Sequence, residues 1–139
     1  MIIKYSVTNF LSIKLTETIN FKAHPLNREI KPLKNELLPV VALYGPNGGG
    51  KSSIIESIMF LFNLINIPGF EQNFYFNNLL KNKLNNSNIP TSWSIELLSK
   101  NNKVFKYELS IGLNSINYEK LSFYEAVSSE KEKIIFRRK

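Results

Sequence analysis

Gly45-Pro46-Asn47-Gly48-Gly49-Gly50-Lys51-Ser52 satisfies every required position of the G-x-x-x-x-G-K-[ST] phosphate-binding pattern. Upstream, Pro39-Val40-Val41-Ala42-Leu43-Tyr44 is an unbroken apolar run, which predicts a short strand buried on both faces. Downstream, residues Lys51 to Ile67 predict a strongly apolar helix. A glycine-rich turn between such a strand and a helix start aims backbone N–H groups and the positive end of the helix dipole at one anion. Lys51 then reaches the β- and γ-phosphates of a nucleoside triphosphate, and the Ser52 hydroxyl holds a magnesium ion. Together with Ser53, this loop is the candidate site for ATP and Mg2+. The competing reading is a glycine-rich turn that matches by chance, and the flanking strand and helix argue against it.

A chain of 139 residues is one domain's worth and can bury a real core. Its hydrophobic share of 43% against 21% charged places it among ordinary globular proteins. With no cysteine, disulfides and thiolate metal sites are excluded, and a reducing cytoplasm is the expected setting. The single histidine, His24, precedes Pro25 in a polar stretch and has no second His or Cys with which to share a metal. Met1-Ile2-Ile3-Lys4 lacks a signal-peptide pattern. The most apolar stretch, Ile54 to Ile67, is interrupted by Glu56, Ser57, Asn63 and Asn66 and falls short of a bilayer span. No membrane partner is expected.

The net charge of +7 favours polyanions, so nucleic acid stays open as a partner. Against it, the lysines are scattered, and only Arg137-Arg138-Lys139 forms a tight cluster. A Lys, Asn and Ile bias also follows from A/T-rich coding DNA without any selection for binding. An absence is more telling. The chain contains no aspartate, and all 11 acidic residues are glutamates.

Ile3, Tyr5 and Val7 alternate with Lys4, Ser6 and Thr8, predicting a half-buried strand over Ile2 to Phe10. Ile13, Leu15, Ile19 and Phe21 share one parity and predict a second strand, antiparallel to the first. Residues 22 to 38 predict a polar loop. The helix that follows is apolar around most of its circumference, which predicts a place between two layers, and Pro68-Gly69 ends it. Residues 70 to 90 predict a connector with one helical stretch near Phe76 to Lys83, and Asn82, Asn85, Asn86 and Asn88 argue against regular structure beyond it. From Thr91 the period returns to two: Trp93, Ile95 and Leu97 on one run, Phe105, Tyr107, Leu109 and Ile111 on the next. Lys100-Asn101-Asn102-Lys103 between them is a hairpin turn signal. Further strands are expected over Tyr118 to Val127 and Lys133 to Arg137.

Three features resemble the ABC-type ATPase heads of the RecF, SMC and OLD-like group. The phosphate loop lies some forty residues in, after an N-terminal hairpin. That hairpin carries Asn9-Phe10-Leu11-Ser12, similar to the group's Asn-Phe-basic-Ser signature. The loop itself is similar to Gly-Pro-Asn-Gly-Ser-Gly-Lys-Ser. The run from Tyr107 to Arg137, through Tyr118-Glu119-Lys120-Leu121 to Ile135-Phe136-Arg137-Arg138, resembles the β-subdomain of OLD-like "AAA family" ATPases, many of which serve in anti-phage defence. The resemblance implies an α/β P-loop NTPase N-terminal lobe. The expected order is a β-hairpin, strand–loop–helix over residues 1–69, a connector over 70–90 and an antiparallel β-meander over 91–139. It further implies that Asn9 and Phe10 lie near the nucleotide; read from the residues alone, they are equally a strand end with one buried aromatic. Leu11 stands where the group has a basic residue, and Gly49 replaces its Ser.

Heads of this group complete magnesium binding and water activation with four apolar residues followed by Asp and Glu. This chain has no such run and no Leu-Ser-Gly-Gly-like signature, so no catalytic residue is assigned to it. Gln72, the only glutamine, is the candidate γ-phosphate sensor. The resemblance therefore implies a partial head, truncated or split. Its expected partners are a second polypeptide or C-terminal segment carrying the acids, and a homodimer with ATP at the interface. Two other readings stand beside it. One is a small P-loop nucleotide kinase, disfavoured because arginines are limited to Arg28, Arg137 and Arg138. The other is a non-catalytic remnant or basic DNA-binding module.

Overall fold

Alternating apolar residues build the sheet of this protein, whose computed structural model describes residues 1–23, 36–69, 80–85, 88–113, 115–125 and 131–139. Among these, six strands and one helix form: β1 (Ile2–Thr8), β2 (Glu17–Asn20), α1 (Lys51–Asn66), β3 (Thr91–Leu98), β4 (Val104–Ile111), β5 (Ile116–Tyr124) and β6 (Lys133–Arg138). The strands make one antiparallel sheet in the order β2-β1-β3-β4-β5-β6. The fold is thus mixed α/β, one helix against one antiparallel sheet.

Register follows the apolar parity. Tyr5 stands opposite Ile95, Val7 opposite Trp93 and Trp93 opposite Leu109, so one face of three strands is apolar. That face and Leu61 of α1 form the main core, with Ile54, Ile58, Phe60 and Leu64 packed against it. Phe10, Phe60 and Trp93 make a ring cluster with centroids 5.6–6.0 Å apart, and each such pair contributes about 0.5–1.5 kcal/mol beyond its buried area. Between Ile2 and Lys4, β1 advances two residues while β3 advances one. The extra residue, Ile3, leaves the main core for a small cluster with Leu37 and Val104.

The hairpin turn expected at residues 100–103 is present, closed by Ser99 and Lys103, with Asn102 in the left-handed region (φ 59°). α1 stops where Ile67 becomes extended (ψ 108°), the conformation that a following proline imposes. Tyr5 Oη and Ser57 Oγ, 2.7 Å apart, tie this helix to β1, and burial pushes the Tyr5 phenol well above its usual range.

Three expectations need correction. The apolar run Pro39-Val40-Val41-Ala42-Leu43-Tyr44 forms no strand and is not buried: Val40 is 76% exposed and Tyr44 92%. Apolar composition supplies the side chains of a central strand but not the neighbours it must pair with, and no described strand lies beside it. The second strand covers only Glu17–Asn20. Ile13 is buried through a bridge to Phe10, yet Leu15 is 73% exposed, so the parity breaks there. Finally, α1 meets one layer rather than two. Ile55, Met59, Phe62 and Ile65 on its other side are open. The last two strands form close to where they were expected. Most of the polar loop (24–35, with His24, Pro25 and Arg28) and of the connector (70–79, with Gln72) lies outside the described residues.

Candidate functional site

The glycine-rich loop bends through the left-handed region at Gly48 (φ 80°) and Gly50 (φ 87°), conformations that L side chains seldom adopt. Gly50 is also the residue from which α1 springs. No side chain caps this helix and no acidic residue sits in its first turn. The first amide bonded inside the helix is that of Ile54, to the Gly50 carbonyl at 3.0 Å. The N–H groups of Lys51, Ser52 and Ser53 therefore have no protein acceptor among the described residues. Most helices give these donors to a Ser, Thr or Asp cap; here they face a cleft of about 210 Å3 lined by Asn47 through Ser53 and by Ser12. Exposed donors at the positive end of a helix make a site for an anion.

Lys51 bends back over the loop, its Nζ donating to the carbonyls of Gly45 and Pro46 at 2.7 Å each. The Gly49 N–H donates to the same Pro46 oxygen at 3.1 Å. The Ser52 hydroxyl is without a partner among the described residues and free for a ligand. Ser53 is nearly buried, and its Oγ lies 2.7 Å from Ser12 Oγ.

That last contact reassigns the hairpin residues. Asn9 is fully buried and turned away from the cleft. Its Nδ2 donates to the Ile89 carbonyl at 2.7 Å, and its Oδ1 accepts from Asn85 Nδ2 at 2.8 Å and from the Asn82 N–H at 3.2 Å. The Thr91 hydroxyl donates to its carbonyl at 2.9 Å. Phe10 is buried in the ring cluster. Asn9 and Phe10 thus stand in the core, not at the cleft where the resemblance put them. Their work is to fix a tight turn, with Asn9 and Leu11 both at positive φ, that delivers Ser12 to the start of α1. Ser12 was missed as a site residue although it closes the Asn-Phe-Leu-Ser signature. The sequence marks it only in that the signature ends on a serine, whose hydroxyl can bond a neighbouring loop.

Among the described residues, the ion pairs gather on the β4–β6 end of the sheet. Lys106 and Lys120 contact Glu108, Lys120 contacts Glu132 at 2.6 Å, and Lys133 contacts Glu125 at 2.7 Å. Arg138 pairs with Glu119, and Arg137 lies over the Tyr118 ring. The terminal basic cluster therefore has local partners for Arg137 and Arg138, while all three of its residues stay exposed. It also stands on β6, four strand spacings from β1, or about 19 Å at the usual spacing of ~4.8 Å. Neither Arg137 nor Arg138 lines the cleft, which disfavours the nucleotide-kinase reading. No described residues gather as a metal-binding group of His, Cys, Asp or Glu. No described helix is long and apolar enough to cross a membrane.

A family model described as "AAA domain, putative AbiEii toxin, Type IV TA system" matches residues 40–138, which takes in the loop, α1 and β3 to β6. No curated protein and no solved structure matches the chain at a significant level.

Proposed function

Because the chain belongs to this family of AAA domains, a nucleotide-binding ATPase type, we propose that it binds ATP at the uncapped start of α1 through residues 45–53. The observation that carries the reading is the set of free amides at Lys51, Ser52 and Ser53, with no protein acceptor among the described residues. The amides receive phosphate oxygens, and the Lys51 ammonium exchanges two carbonyls for the more favourable charged contact with phosphate. Ser52 offers its hydroxyl to a magnesium ion accompanying the nucleotide. Ser12 and Ser53 hold the hairpin against the loop, so that the cleft keeps its shape as the ligand enters.

Hydrolysis needs a carboxylate to polarise water, and no acidic side chain lines the cleft. The reading is therefore of an N-terminal lobe of an OLD/RecF/SMC-like ATPase, of a kind used in anti-phage defence. A second segment supplies the acids, and ATP is sandwiched between two heads. Isothermal titration of the chain with Mg-ATP is expected to show saturable binding, weakened at least about tenfold by Lys51→Ala. ATP turnover is expected only after an acid-bearing partner is added. Lys51-dependent turnover by the chain alone, at an ordinary enzymatic rate, would overturn the incomplete-site reading. Failure to bind Mg-ATP would overturn the nucleotide reading itself and favour a non-catalytic module.

A further inference from the structure

Asn47-Gly48 is the one Asn-Gly pair in the chain, and it lies in the phosphate loop. The two are the central residues of a turn that the Gly49 N–H closes on the Pro46 carbonyl at 3.1 Å, with Gly48 in the left-handed region. Both are exposed. Neither the Asn47 carboxamide nor the Gly48 N–H has a hydrogen-bond partner among the described residues. The carboxamides of Asn9, Asn82 and Asn85, by contrast, are all held by hydrogen bonds. Chain neighbours aside, nothing stands within 4 Å of the place a Cβ would take at Gly48. The peptide plane between Asn47 and Gly48 is thus free to swing, and glycine brings no side chain to hinder it. The start of α1 and the Lys51 ammonium, bonded to the Pro46 carbonyl, put positive charge beside that peptide.

We propose that Asn47 is a self-modification site whose deamidation shuts the anion site while that site stands empty. The Gly48 amide nitrogen, once deprotonated, attacks Cγ of Asn47. The new N–C bond forms as the Cγ–Nδ2 bond breaks, and the side-chain nitrogen leaves as ammonia with the proton that the amide gave up. The product is a five-membered cyclic imide. Water then opens the ring. Attack at Cγ restores the peptide bond and leaves aspartate; attack at the main-chain carbonyl leaves isoaspartate, with one more carbon in the backbone. No oxidation state changes. Positive charge beside the peptide favours the nitrogen anion that starts the sequence. Either product brings a carboxylate into a cleft that has none, where it repels a phosphate, and isoaspartate also displaces the amides that follow. A phosphate bound by the Gly48 N–H works the other way, keeping that nitrogen protonated and turned to the ligand. This deepens the function proposed above: protection by the ligand rests on that reading, whereas the loss of ammonia does not.

The test holds the full chain in mildly alkaline buffer, with and without Mg-ATP, and follows each asparagine by digestion and mass spectrometry. The expected result is that the Asn47 peptide gains the mass of an amide-to-acid change before any other, Asn114-Ser115 serving as the internal reference. Mg-ATP at ten times its Kd should slow that gain about tenfold, in proportion to the empty fraction, and leave Asn114 unaffected. Aged chain, separated from fresh by its added negative charge, should bind Mg-ATP at least about tenfold more weakly, and Asn47→Asp should do the same. An unchanged thermal melt of Asn47→Asp shows that its fold is intact, and the aged chain gives the same reading without a substitution. Three results would overturn the proposal: Asn47 changing no faster than Asn114, Mg-ATP slowing the two alike, or aged chain binding as tightly as fresh. The two readings stay apart. Mg-ATP binding with Asn47 unchanged ends this proposal alone. Ammonia loss at Asn47 in a chain that never binds Mg-ATP ends the nucleotide reading, and the protection claimed here with it.

Discussion

On one side of α1, Leu61, Ser57 and Ser53 are sealed against the sheet; on the other, Ile55, Met59 and Phe62 lie open although they are no less apolar. The sealed side has a partner from every strand between β1 and β4. Beside the open side, the described residues leave a groove edged by Val41 and Leu43 and by Ile19 and Phe21. Apolar surface stabilises a fold only when something removes it from water. The helix shows both outcomes within sixteen residues.

The contrast can be broken or sharpened by substitution. Phe10→Ala removes the ring packed against both Phe60 and Trp93 and should destabilise by about 3–5 kcal/mol, read from chemical denaturation. Asn9→Ala strands the Asn82 amide and the Ile89 carbonyl and should cost about 2–3 kcal/mol. It should also loosen Ser12, seen as faster exchange at the start of α1. A smaller effect is expected at the far edge of the sheet. There the Lys120 ammonium, followed by the Ser122 hydroxyl, holds the Glu132 carboxyl below its usual range. A carboxyl depressed in the folded state stabilises fully above its unfolded value and less as pH falls through the folded one. Stability should therefore drop as pH falls below about 4.3, by less than about 1 kcal/mol for so exposed a group. The smallest effect is on the open side. Met59→Gln should change stability by no more than about 0.5 kcal/mol, because that side chain is 61% exposed. A large loss there would mean that the two sides of the helix are not different after all.

The sheet was legible because alternation is a local property. Trp93 and Ile95 or Leu109 and Ile111 need only the next strand, and a short turn delivers it. The start of α1 was legible for the same reason, since loop and helix are contiguous in sequence. Residues 39–44 were misread because a central strand is defined by neighbours, and alternation or apolarity within six residues says nothing of who pairs with them. Asn9 was open to misreading because its partners, Asn82, Asn85 and Ile89, lie more than seventy residues away. A buried amide with distant partners leaves no trace in spacing.

β6 ends the sheet with Ile134, Ile135 and Phe136 uncovered, an edge onto which a stray chain could zip. Lys133 precedes that apolar triplet, and Arg137 and Arg138 follow it. Any identical edge laid alongside must crowd cation against cation before its greasy middle can touch, so this border carries its own gatekeepers.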